Sequence, residues 1–147
     1  MLKGSVIHPQ ILSVLGGAGH GSKVLIADGN YPFRTRRGPN AELVFLNLSP
    51  GRLNVTDVLE TLIAAISIEE AVVMAPNRTG PYAMKNDPPI FAEFAKLLKK
   101  ASPDLNLKKV ERFAFYDAAS TPETCLTIAT GEQRIYANLL LTIGVVK

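Results

Sequence analysis

His20 stands between Gly19 and Gly21, in a glycine cluster that also contains Gly16 and Gly17. Small neighbours leave an imidazole open to a ligand, and histidine can give or take a proton near neutral pH. His20 is therefore a candidate acid/base group, weighed against the plainer alternative of an inert surface histidine. His8 precedes Pro9 and suits a helix cap instead. Asp28 ends a short apolar run and is followed by Gly29 and Asn30, which places a carboxylate where α/β domains bind small molecules. Ligand bonding and simple turn formation are both open at that position. Tyr116, Tyr136 and Asn138 set polar groups inside otherwise apolar segments. Buried phenols and amides need partners, and sugar hydroxyls are one kind, structural hydrogen bonds another.

Other chemistries fare worse. A dinucleotide loop must follow a strand and open a helix, so that phosphate meets a helix N-terminus, whereas here the glycines follow a helix and precede a strand. They are explained as a helix stop and a turn. There is no serine nucleophile elbow, no phosphate loop and no metal-binding pair of histidines. Cys125 is the single cysteine, so it cannot form an intrachain disulfide, and it cannot anchor a structural zinc site. What remains is a set suited to moving protons on a hydroxylated ligand without cofactor or metal.

These residues must be held by a recognisable series of elements. Ile11, Leu12 and Leu15 after His8 and Pro9 predict a short helix stopped by Gly16 and Gly17. Lys23 to Ala27 and Glu42 to Leu48 read as strands. Val58, Leu59, Leu62, Ile63 and Ile66 form a helical stripe behind the capping residues Asn54 and Asp57. Ala71 to Ala75 is a further strand, and the Pro76 to Pro89 stretch is a long loop of the kind that is often functional. Asp87 can cap a helix that begins at Pro88 and buries Ile90, Phe91, Phe94, Leu97 and Leu98. Arg112 to Ala119 fits a helix or a strand, Cys125 to Thr130 a strand, Gly131 a turn, and Asn138 to Val146 a final apolar element of either type. Alternating strands and amphipathic helices predict a single α/β domain over residues 1–147, with a mainly parallel sheet flanked by helices in three layers.

The chain has 147 residues, enough to bury a core without staples. No apolar run approaches the roughly 18 residues of a membrane span, and His8, Pro9 and Gln10 break the N-terminal stretch that a secretory signal would need. A cytoplasmic protein is expected. The net charge of +3 comes from 16 basic and 13 acidic side chains spread along the chain, too dilute for a nucleic-acid footprint. The Arg34, Arg36 and Arg37 knot reads as solvated surface, with a local role as the alternative.

The motifs GHGSKVLIADGNYP (Gly19 to Pro32), ERFAFYDAA (Glu111 to Ala119) and TGEQRIYANLLLTIGV (Thr130 to Val145) resemble those of the RbsD/FucU family of sugar pyranases and mutarotases. The likeness runs nearly end to end, from the opening Met1 to Leu15, and leaves Arg34 to Asn40 and the Pro76 to Pro89 loop without a match. The resemblance implies a cofactor-free isomerase that opens and closes the ring of a free monosaccharide. It casts His20 as the proton donor and Asp28, Arg112, Tyr116, Tyr136 and Asn138 as sugar-binding residues. Arg112, where the ribose branch usually has His, favours the fucose branch, while the Tyr136-Ala137-Asn138 triplet has the ribose branch's form. Glu69 departs from an Asp found in some fucose-type members. A sugar-binding or regulatory module without turnover is the alternative reading.

If Lys23 to Ala27 is extended, His20 and Asp28 lie at opposite ends of a strand roughly 17 Å or more long. One chain's strand then cannot put both in one pocket unless the turn before Lys23 folds back sharply. A site shared between copies is expected, in keeping with the ring-shaped homo-oligomers, decamers in bacterial members, that the resemblance implies.

Overall fold

The computed structural model describes residues 2–146; Met1 and Lys147, the ends of the expected domain, lie outside them. The strands are β1 (Lys23–Ala27), β2 (Glu42–Phe45), β3 (Ile68–Met74), β4 (Leu107–Val110), β5 (Thr124–Ala129) and β6 (Leu139–Ile143). They form a six-stranded sheet in the order β2-β5-β1-β6-β3-β4. The β1–β5, β2–β5 and β3–β4 pairs are parallel, while β6 runs antiparallel between β1 and β3. This single reversed strand matters for function. The residue that starts it lies beside the residues that end β1 and β3.

Both faces of the sheet are covered, which is why its strands are apolar runs rather than alternating patterns. The period of two sends Val24 and Ile26 of β1 into one cluster and Leu25 and Ala27 into the other, and Leu139 and Leu141 of β6 oppose Leu140 in the same way. The first cluster is closed by α1 (Pro9–Gly17), α2 (Val55–Ile63) and α3 (Ile90–Ala101); the second by α4 (Arg112–Ala119) together with Tyr31. Phe94, Leu98, Leu59 and Phe115 are fully buried, and each such side chain stabilises the fold by about 1.5–3 kcal/mol.

Local chemistry sets the helix starts. His8 is the N-cap of α1, its Nδ1 accepting from Ile11 N–H at 3.4 Å with Pro9 behind it. The Asp57 side chain accepts from Asn54 N–H at the head of α2. Residues 112–119, open between helix and strand in the sequence, are a helix because the Glu111 carboxylate accepts from Phe113 N–H and Ala114 N–H, two of its orphan donors.

Several expected boundaries change. The strand from Glu42 ends at Phe45 rather than Leu48, and β3 starts at Ile68, ahead of Ala71, with Glu70 paired to Lys108 across the β3–β4 edge. Strand β4 had no counterpart in the sequence reading, because Lys108 and Lys109 interrupt its pattern; charge on an edge strand discourages pairing with another chain. Asp87 does not cap α3, whose N-cap is Pro89. Its carboxylate is drawn instead to Arg78 and Lys109. Among the described residues no helix is long and apolar enough to cross a membrane.

Gly131 opens the segment that leads into β6, and a Cβ there would lie 2.0 Å from Arg52 O and 2.6 Å from Ser49 O, whereas one at Gly17 would meet nothing within 4 Å. Gly131→Ala is expected to cost about 1–3 kcal/mol or more, and Gly17→Ala, in a helix, to be neutral or to stabilise by up to about 1 kcal/mol. Thermal melts of the two variants check this; equal melting temperatures would contradict the clash.

Candidate active site

The C-terminal ends of β1 and β3 and the start of β6 surround a cavity of about 300 Å³, the lower end of the range for small-ligand sites. Asp28, Asn30, Tyr31, Arg112, Tyr116, Tyr136 and Asn138 bring polar atoms to its lining, and Met74, Tyr82 and Ile135 complete it. Residues far apart in sequence meet here because β6 runs back against β1.

Asp28 and Asn138 form a reciprocal pair. Asp28 N–H donates to Asn138 Oδ1 at 2.9 Å, and Asn138 Nδ2 donates to Asp28 Oδ2 at 2.9 Å. Ala137 N–H also donates to Oδ2, and Asn30 N–H donates to Oδ1 at 2.9 Å. Oδ1 thus keeps capacity for a further donor, such as a ligand hydroxyl. The residue is only 2% exposed. Burial, opposed by the Asn30 and Ala137 amides and helped by the nearby Glu132 charge, pushes its carboxyl up to about 6. It is ionised, and an acceptor, above that pH.

Arg112 and Tyr116 stand one turn apart on α4, so both reach the same wall. The Arg112 guanidinium carbon lies 5.6 Å from the Tyr116 ring centre and that of Arg36 lies 5.4 Å from it, within reach of cation–π attraction. Tyr31 packs edge-on to Tyr116 at 5.7 Å. Arg112 Nε is buried without a hydrogen-bond partner among the described residues, and the residue lines the cavity. Tyr136 adopts a φ of 60°, unusual for a bulky residue. Its hydroxyl donates to Tyr82 O and accepts from Asn77 N–H, both at 3.2 Å.

His20 is not in this cavity. Its turn is tied to the other end of the sheet, where Gly21, at φ 82°, donates its N–H to Ile143 O at the end of β6. There His20 Nε2 lies 2.9 Å from Glu69 Oε2 near the start of β3, with the imidazole side chain 61% exposed. The structure therefore brings Asp28, Arg112, Tyr116, Tyr136 and Asn138 together and leaves His20 apart, accessible as expected. The sequence reading had not seen Glu69 as the partner of His20, nor Tyr82, Met74 and Ile135 as pocket wall. Two signals existed: Glu69 was marked by its departure from the family's Asp, and the Pro76 to Pro89 loop, which carries Tyr82, by its length.

The sequence model of the RbsD / FucU transport protein family matches residues 1–146. The chain is 32% identical over 155 aligned residues to the fucose mutarotase of Danio rerio, covering 99% of this chain and 95% of that one. It is 28% identical to the fucose mutarotase of Homo sapiens, covering 98% and 94%. The crystal structure of FucU from Bifidobacterium longum superimposes with a TM-score of 0.79 at 32% identity, over 96% of each chain.

The buried carboxyl has a consequence for stability. The folded value lies above the ordinary aspartate value, so the contribution of Asp28 is complete below about pH 4 and is lost as the pH rises through about 6. The stability of the wild type relative to Asp28→Asn is expected to fall by on the order of 3 kcal/mol between about pH 4 and about pH 8. Urea titrations across that range check it, and a pH-independent difference would mean that the carboxyl titrates as an exposed one.

Proposed function

The chain belongs to the RbsD / FucU transport protein family, and from that membership we propose that it is a sugar mutarotase, an isomerase that opens and recloses the ring of a free monosaccharide, with L-fucose favoured. The observation that carries this reading is the convergence of Asp28, Arg112, Tyr116, Tyr136 and Asn138 on one monosaccharide-sized cavity. The near-complete alignment with two fucose mutarotases supports it and supports the choice of sugar.

Ring opening takes a proton from the anomeric hydroxyl and gives one to the ring oxygen as the bond between C1 and that oxygen breaks. The aldehyde then turns about its bond to C2, and the hydroxyl recloses on the other face. Both transfers are proton moves, so the protein needs an acid/base group and an array that orients the hydroxyls. The Asp28 carboxylate accepts from a sugar hydroxyl through Oδ1, and the Arg112 guanidinium donates to a sugar oxygen. Tyr116 and Tyr136 flank the ring. No cofactor enters this scheme.

The proton donor is His20 of a neighbouring copy, since β1 alone, five residues long, holds His20 roughly 17 Å from Asp28. The Glu69 carboxylate, 2.9 Å from Nε2, orients the ring. With Nε2–H donated to that carboxylate, Nδ1 faces the sugar: it gives a proton to the ring oxygen when the imidazole is doubly protonated, and as the neutral ring it can take one from the anomeric hydroxyl. The exposed side chains Tyr82, Phe113 and Ile135 around the cavity offer the second copy a surface to cover. A ring of copies would repeat this head-to-tail contact at every interface.

Saturation-transfer NMR on L-fucose, D-ribose and D-galactose tests the reading. Faster anomer exchange is expected, strongest for L-fucose, and His20→Ala should reduce it by at least about 100-fold while sugar binding at the Asp28 pocket persists. Binding with no acceleration by the wild type would identify a sugar-binding module without turnover.

A further inference from the structure

The Pro76 to Pro89 segment contains no helix or strand, yet it is held in shape. Arg78 Nη1 donates to Met84 O at 2.9 Å and Lys85 O at 3.0 Å, and Nη2 donates to Asp87 Oδ1 at 3.1 Å. Lys109 of β4 holds the other oxygen of that carboxylate. Met84 N–H donates to Asn77 O at 2.9 Å, closing the base of the loop. The tip is fixed from the pocket side, where the Tyr136 hydroxyl spans Tyr82 O and Asn77 N–H. Tyr82 is consequently set against the cavity although it is 67% exposed.

Alongside the polar groups from the ends of β1 and β6 and from α4, the cavity lining includes Met74, Tyr82 and Ile135, which add carbon surface. A sugar whose hydroxyls meet Asp28 and Arg112 can turn its remaining edge to that carbon surface. A methyl group packed there gains from leaving water, whereas a hydroxyl in that place gives up hydration for carbon contact.

We propose that Tyr82 is a specificity-determining residue that selects sugars with a methyl group, as in 6-deoxyhexoses, over those with a hydroxymethyl group or no carbon at that position, and that Arg78 and Tyr136 hold its loop as a fixed wall. The proposal rests on the mutarotase reading. It makes the loop part of the pocket, with Arg78 and Asp87 as positioning residues.

The test is anomer exchange measured on L-fucose, on L-galactose, which has a hydroxymethyl group in place of the methyl, and on D-arabinose, which lacks that carbon. For the wild type below saturation, L-fucose should be preferred to D-arabinose by about tenfold or more, the discrimination available from one methyl in an apolar pocket. Tyr82→Ala should remove most of that preference by raising KM several-fold more for L-fucose than for D-arabinose, and should relax the rejection of L-galactose. Tyr82→Phe should keep the preference, because the ring and not the hydroxyl makes the contact. Arg78→Ala should weaken it in the same direction. Tyr82 is exposed in the single chain, and size-exclusion chromatography of each variant checks that assembly is retained. An unchanged preference in Tyr82→Ala, or an equal loss for all three sugars, would overturn the proposal. A wild type that accelerates none of them would overturn the mutarotase reading, and the proposal with it.

Discussion

The length of β1 constrains every account of this site. An extended segment cannot fold back on itself, and Lys23–Ala27 lies paired on both sides, parallel to β5 and antiparallel to β6. The pairing fixes a separation of roughly 17 Å between the turn that carries His20 and the carboxylate of Asp28. Each end is built with care. At one end, Gly21 supplies the left-handed turn that presents the imidazole beside Glu69. At the other, the reversed strand β6 brings Asn138 against Asp28. Two half-sites at opposite ends of one sheet make chemical sense when a second copy supplies the missing half.

The pocket half is costly to build. Asp28 is a buried carboxylate held by amide donors, Tyr136 occupies a backbone conformation that bulky residues avoid, and Arg112 carries a buried nitrogen with no partner among the described residues. Each of these departures would be relieved by an ordinary core residue, and they cluster around one cavity. Such concentration of local cost is the mark of a site kept for binding rather than for stability. The two apolar clusters on either face of the sheet supply the stability that offsets it.

Much of this was legible in the sequence where a local signal existed. Lys23 to Ala27 is bounded by glycines and polar turn residues, and the strand has those ends; Asn54 and Asp57 announce α2, and His8 with Pro9 announces α1. The carboxylate after β1 and the polar residues of the last segments pointed to the pocket, and strand geometry alone separated His20 from it. What was not legible depends on contacts distant in sequence. The His20–Glu69 pair spans 49 residues. Strand β4 exists because β3 pairs with it, against the preference of Lys108 and Lys109 for water. Asp87 has good capping chemistry, but its carboxylate pairs with Arg78 and Lys109. Tyr82 stands at the cavity on a loop closed by Arg78 and tied to the Tyr136 hydroxyl.

The central claim is that the imidazole of one copy serves the pocket of another. The most direct measurement mixes His20→Ala and Asp28→Asn chains, each inactive alone, unfolds and refolds them together, and follows anomer exchange. Sites that pair an intact His20 with an intact Asp28 from different chains should recover activity approaching about one quarter of the wild-type level for random assembly from equal amounts. A mixture no more active than its separate components would contradict the shared site.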